Sequence, residues 1–206
     1  MSDALVIFKP DAAHRLAARA GIWDWISSEA GWKLESLAWF KPPKDLIEAH
    51  YDFLEGRPFF PWLVDFMTAL PLLVGRVSAA PEVLERMRFD LGETRIHQSR
   101  PGSLRERYGI AGGVNCVHLS DAPETGAAEV KRWSGFLPLD KVRVKLDKSS
   151  TKPDHTYHLR SLAALVQAGT HTSLATEMMR DLIAEETDLK GDELQSLYRV
   201  ILGALD

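Results

Sequence analysis

Leu5 to Phe8 are four consecutive apolar residues halted by Lys9-Pro10-Asp11. A run this short, closed by a proline, predicts a buried strand entering a turn. A helix is expected from about His14 to Glu29, with Leu16, Ile22 and Ile26 among its apolar positions. Trp32 to Phe40 alternates imperfectly and predicts a second strand, stopped by Lys41-Pro42-Pro43. Helices are expected over Lys44–Phe53 and again from near Phe60 through Leu63 and Phe66. Leu70 to Val77 is a largely apolar stretch, the pattern of a strand covered on both faces. Pro81 suits the first turn of a helix reaching about Phe89. Between Asp90 and Gly113 the periodicity lapses among Gly, Ser, Pro, Arg and Thr. Loops of that length inside a compact domain are usually functional or disordered. Val114 to Leu119 predicts a fourth strand, and Pro123 to Trp133 a helix whose acidic start and basic end complement its dipole.

This order predicts an α+β fold of the α/β class, with a ferredoxin-like four-stranded sheet covered by helices. Beyond Phe136 the pattern changes. Residues 137–158 are charged, hold Ser149-Ser150 and Pro153, and read as a linker in which Val142, Val144 and Leu146 could form a short edge strand. Residues 159–206 read as a helical extension. Leu162, Leu165 and Val166 share a face that ends at Gly169, and Leu174, Met178, Leu182 and Ile183 continue in the same style. The cleanest apolar stripe is Leu194, Leu197, Tyr198, Ile201, Leu202 and Leu205. Such stripes predict an appendage that packs on the first domain, residues 1–136, or on a sister subunit, the alternative being a lid or docking module.

Composition acts mainly by exclusion. With 45% hydrophobic and 26% charged residues in 206, the chain has the balance of an ordinary globular protein. A formal charge of −4 argues against a general nucleic-acid binder, though not against a local cationic pocket. Cys116 is the only cysteine, so an intrachain disulfide and a cysteine metal cluster are excluded. No apolar run approaches the roughly 18 residues that span a membrane, and the N-terminus lacks a signal-peptide pattern, so a cytoplasmic protein without membrane attachment is expected.

The sequence has neither a G-x-x-x-x-G-K-[ST] phosphate loop nor a G-x-G-x-x-G fingerprint. It has instead polar residues scattered over several predicted elements: Lys9, Arg88, Thr94, Arg105, Asn115, His118 and Glu129. Phosphoryl transfer requires positioned cations and hydrogen-bond donors around a charged transition state. A neutral imidazole offers a ring nitrogen able to attack phosphorus, and a carboxylate on the other nitrogen would fix its tautomer. A lone histidine in a strand is more often structural, and spacing alone does not assemble this set.

Asn115-Cys116-Val117-His118-Leu119-Ser120-Asp121 resembles the N-x-x-H-G-S-D signature of the nucleoside diphosphate kinase family. Further blocks agree in order: Ile7-Phe8-Lys9-Pro10-Asp11, then His50-Tyr51 with Arg57-Pro58-Phe59-Phe60, then Leu91-Gly92-Glu93-Thr94 with Ser99-Arg100-Pro101-Gly102-Ser103-Leu104-Arg105. The resemblance covers about residues 3–136. It implies His118 as the phosphorylated nucleophile, with Glu129 and Ser120 supporting its ring. It also implies Lys9, Tyr51, Arg88, Thr94, Arg105 and Asn115 around phosphates and ribose, and Phe59 with Leu63 at the base, where stacking tolerates any nucleobase. Phe60 is read as core.

The implied reaction is a ping-pong transfer from a nucleoside triphosphate such as ATP to a nucleoside diphosphate. Mg²⁺ would be bound with the phosphates, without a protein-held metal site, in a homo-oligomer. The alternatives are a kinase passing the phosphoryl to a specialised non-nucleotide or protein acceptor, and a catalytically weak nucleotide-binding module. The chain departs from the family at Leu119, where a glycine is usual and a branched side chain threatens the pocket. It departs also at Glu106-Arg107-Tyr108, Ala12 and Val114, and in its extension. His155, His158 and His171 lack a metal-ligand spacing and read as surface residues.

Overall fold

Every residue from Ala4 to Phe8 is buried, which places strand β1 (Ser2–Phe8) inside the sheet. The computed structural model describes residues 1–28 and 30–205. In it, β1 pairs antiparallel with β3 (Leu72–Ala79) on one side and β4 (Val117–Leu119) on the other. Strand β2 (Trp32–Phe40) lies outside β3, giving the order β2-β3-β1-β4. This is the expected four-stranded, helix-covered α+β sheet.

Alternation along β1 divides the interior into two layers. Ala4, Val6 and Phe8 face a core shared with α1 (Pro10–His14), α2 (Leu16–Ile26) and α5 (Pro81–Leu91). Leu5 and Ile7 face the other core, built with α3 (Lys44–His50), α4 (Phe60–Ala69) and Trp133 of α7 (Pro123–Ser134). That second core continues without a break into α8 (Thr156–Gln167), α9 (Thr172–Glu186) and α10 (Gly191–Leu202), through Leu159, Leu162, Met179, Ile183, Leu197 and Ile201. Trp62 of α4 donates its indole N–H to the Val200 carbonyl of α10 at 2.9 Å.

Several boundaries differ from the sequence pattern. The single helix expected from His14 is broken at Arg15, whose extended backbone separates α1 from α2; its expected end at Glu29 lies outside the described residues. The helix expected to reach Phe53 stops at His50, followed by a 3-10 turn over Asp52–Leu54. β3 begins at Leu72, after Pro71, which has no N–H to give a ladder. The long segment after α5 contains a 3-10 turn (Ile96–Gln98) and α6 (Leu104–Tyr108), whose first turn is capped when Ser103 Oγ accepts the Glu106 N–H. β4 is shorter than expected because Cys116 adopts φ +65°, a left-handed conformation that strand pairing does not tolerate.

In the C-terminal region the expected edge strand reduces to one parallel bridge, Val142 to Leu37, with Arg143 N–H donating to the Leu37 carbonyl at 2.8 Å. α8 starts earlier than predicted, where Asp154 accepts the Thr156 N–H at 3.0 Å. The buried stripe of α9 is Ala175, Met179 and Ile183, one residue round from the expected Leu174 and Met178, which are exposed, as is Leu165 on α8. Ala175, Met179 and Ile183 pack instead into the core that α9 shares with α8 and α10.

Candidate phosphotransfer site

β4 presents successive side chains to opposite faces of the sheet. Leu119, 1% exposed, packs into the core beneath α2 and α5, while His118 points the other way, beside α3 and α7. The branched residue at 119 therefore fills the opposite layer and leaves the imidazole unobstructed.

His118 Nε2 lies 2.9 Å from Glu129 Oε2, and the Ser120 hydroxyl donates to the same carboxylate oxygen at 2.6 Å. Ser120 Oγ in turn accepts the Leu5 N–H of β1 at 2.8 Å, so the sheet backbone sets the position of this triad. Burial works to raise the Glu129 pKa, but the bond and charge of His118 and the Ser120 hydroxyl outweigh it and bring the carboxyl down to about 2. With Nε2 held by the carboxylate, Nδ1 is the ring nitrogen available to an electrophile.

A second cluster is cationic. Lys9, at the end of β1 and 6% exposed, donates from Nζ to Asn115 Oδ1 at 2.7 Å and to the Gly113 carbonyl at 3.4 Å. Asn115 Nδ2 donates to the Thr94 carbonyl at 2.9 Å. Arg105 extends from α6 to the Gly92 and Val117 carbonyls, at 3.0 and 2.9 Å, and to Thr94 Oγ1 at 3.3 Å. Arg88 donates to the Leu119 carbonyl at 2.7 Å and pairs with Asp121 at 2.5 Å. Burial and the nearby Arg105 charge lower the Lys9 pKa from 10.5 to about 8.

Of the residues singled out from sequence, His118, Ser120 and Glu129 thus form one hydrogen-bonded group, and Lys9, Thr94, Arg105 and Asn115 another. Arg88 joins them through the residue after His118. Tyr51 is buried with its ring edge-on to His118 at 6.2 Å, and burial raises its phenol pKa. Phe59 is half exposed just before α4, whereas Leu63, one turn on, is buried in the core. Phe60 packs partly buried against that core, as expected.

Two residues without a role in the sequence reading are prominent here. His50 is buried against His118, ring centres 4.7 Å apart, and its Nδ1 accepts the Trp133 indole N–H at 3.2 Å. Burial first, then the facing His118, lower its pKa to about 3, so the ring is neutral. Asp11 is wholly buried and its Oδ2 accepts the Cys116 N–H at 3.0 Å, which pins the left-handed turn ahead of β4. Both stand in the sequence blocks that carried the resemblance, the one signal that marked them.

His50, His118 and Glu129 bring potential metal-ligand atoms within 4.8 Å of one another. The proton arrangement does not suit a cation. Because Trp133 donates to Nδ1, the neutral His50 ring carries its proton on Nε2 and has no lone pair there to offer. The Lys9, Arg88 and Arg105 cations gathered at this end of the sheet suit an anion instead. Cavities of about 320 Å³ beside Trp39 and about 410 Å³ between α9 and α10 lie elsewhere.

The sequence model of nucleoside diphosphate kinase matches residues 2–136, two thirds of the chain and all of the site just described. The chain belongs to the nucleoside diphosphate kinase family. It is 35% identical over 129 residues to a nucleoside diphosphate kinase of Chloroflexus aurantiacus, spanning 63% of this chain and 84% of that one. Among solved structures, it is similar to the nucleoside diphosphate kinase of Aquifex aeolicus (TM-score 0.56, 28% identity), covering 68% of this chain and 99% of that one. It is likewise similar to that of Encephalitozoon cuniculi (TM-score 0.58, 30% identity, 66% and 90% covered). The protein is an enzyme of this kinase family, and the family match ends at Phe136, before the C-terminal helices.

Proposed function

We propose that the protein moves the terminal phosphoryl group of a nucleoside triphosphate to a nucleoside diphosphate by way of a phosphohistidine at His118. In the first half-reaction the Nδ1 lone pair attacks the γ-phosphorus while the bond to the β,γ-bridging oxygen breaks, and the diphosphate leaves. In the second, a terminal oxygen of another diphosphate attacks the phosphorus and the P–N bond breaks, returning the imidazole. The observation that carries this reading is the Nε2–Glu129 contact, which leaves Nδ1 as the ring nitrogen for an electrophile, on a strand paired with the β1 strand that leads into the buried Lys9.

Glu129 stabilises the positive charge that the ring acquires when Nδ1 is phosphorylated, and Ser120 keeps the carboxylate oriented. Lys9, Tyr51, Arg88, Thr94, Arg105 and Asn115 receive phosphates and ribose. Phe59 offers its exposed ring to the base, with Leu63 behind it. Mg²⁺, carried on the nucleotide phosphates, would neutralise part of their charge, and no protein oxygen cage is required. The homo-oligomer implied by the resemblance, and the cytoplasmic setting expected from the sequence, form part of the same proposal.

Incubation with γ-phosphate-labelled ATP tests it. The wild-type protein is expected to take up an acid-labile label and pass it to several nucleoside diphosphates. His118→Ala should abolish the label and retain the fold and nucleotide affinity. Label persisting in that variant assigns the nucleophile elsewhere; a labelled enzyme that fails with every diphosphate transfers to another acceptor.

A further inference from the structure

The helices beyond residue 136 do more than extend the core: three of their groups terminate on the supports of Lys9 and Arg105. The first contact is at Arg15, which is 1% exposed at the break between α1 and α2. Its guanidinium is held by Glu186, the last residue of α9, also 1% exposed. It further donates to Thr156 Oγ1 at 2.5 Å and to the Tyr108 carbonyl at 2.9 Å. Glu186 also accepts the His155 N–H.

Arg15 thus anchors one end of the short α1, whose other end carries Lys9 and Asp11. There the Lys9 N–H donates to the Cys116 carbonyl at 2.8 Å and Asp11 accepts the Cys116 N–H. Asp11 Oδ1 is buried without a hydrogen-bond partner; burial raises its pKa, and the nearby Arg15 charge, followed by that of Lys9, opposes the shift in part.

The second contact concerns Arg105. Arg160 of α8 donates to the Glu106 carbonyl and to the Gly109 carbonyl, at 2.8 Å from Nη2 and 3.2 Å from Nε. These are the free carbonyls at the C-terminal end of α6, which a cation there satisfies. The third runs through Trp62, tied to Val200. Its ring lies so close to Gly113 that an added Cβ would come within 2.7 Å, and the Gly113 carbonyl is a Lys9 partner.

We propose that the C-terminal helices are a positioning element of the phosphotransfer site, in which Glu186 sets Lys9 through Arg15 and α1, and Arg160 sets Arg105 through α6. This rests on the phosphotransfer reading above. The chemistry depends on placing cations around a loose transition state, where a displacement near 1 Å costs about a hundredfold in rate. Glu186 and Arg160 stand outside the set that receives the nucleotide, so each acts through the residue it holds.

Single-turnover labelling of His118 by γ-labelled ATP, compared among wild type, Glu186→Gln and Arg160→Met, tests the proposal. Measurements are made well below each melting temperature, with the fold checked by circular dichroism. Glu186→Gln should slow labelling by about tenfold or more while ADP affinity changes by less than about threefold, because a ground-state complex tolerates a shifted lysine better than a transition state does. Arg160→Met should slow it in the same sense, and Arg160→Lys should recover part of the loss. A purely structural role predicts lower melting temperatures with an unchanged labelling rate in the folded protein, and that result overturns the proposal. If Glu186→Gln does not fold, Arg160→Met decides by the same criterion. A wild-type protein that takes up no label refutes the phosphotransfer reading itself, and the proposal falls with it.

Discussion

At Lys9, burial and the Arg105 guanidinium set an ammonium group that loses its proton near pH 8. The cationic form, which alone attracts phosphate, is complete well below that pH and vanishes above it. kcat/KM for the free enzyme is therefore expected to fall as pH rises through about 8, and the corresponding limb in kcat should lie higher, since bound phosphate favours the charged lysine. Lys9→Gln should be slow at every pH and lack this limb. A flat wild-type profile from pH 7 to pH 9 would separate Lys9 from the rate. Lys9 and His118 were legible in the sequence because they stand in ordered blocks, and Glu129 only because the resemblance as a whole runs past it. His50 and Asp11 were not assigned roles, because what distinguishes them is burial and an indole or backbone partner brought from far along the chain. Leu119 was legible only as an intrusion. Strand alternation, which turns it away from His118, resolves that.

Among elements, α7 and β1 meet unusually closely at Gly126. A Cβ there would lie 2.2 Å from the Asp3 carbonyl oxygen, a backbone atom that cannot swing aside. Gly126→Ala gains about 1 kcal/mol of intrinsic helix propensity, yet it must push α7 away from the sheet. The expected outcome is a net loss of stability in denaturant melts together with slower phosphorylation, since α7 carries Glu129. Unchanged stability would mean that α7 shifts at no cost.

Element boundaries were read well where proline and periodicity agree, as for β2, which spans Trp32–Phe40 in both readings. They were read poorly where tertiary contacts decide. The break at Arg15 follows from its partners on distant segments, and the early stop of α3 places His50 and Tyr51 against His118. The inward face of α9 was displaced by one residue because two adjacent apolar stripes compete and only packing against α8 chooses between them.

For the molecule as a whole, one hydrophobic core runs from β1 to α10. Cutting the chain after Phe136 would uncover the Trp62 side of α4 and strip Arg15 of the Glu186 carboxylate and the Thr156 hydroxyl that hold it. The truncated protein is expected to aggregate or bind a hydrophobic dye strongly, as solubility and dye fluorescence would show. A soluble, cooperatively melting fragment would contradict this. The sequence announced the C-terminal helices through their stripes but not their destination, because nothing in a periodic pattern names the surface that receives it. Cys116 lies where these supports converge, fully enclosed, with a thiol that burial pushes up to about 12. The only cysteine of the chain is thus a built-in clock: a thiol reagent can modify it only during moments when the turn ahead of His118 swings open. Its modification should be slow at neutral pH, faster in mild urea and slower again with ADP, so the opening of the cradle can be timed without adding a probe.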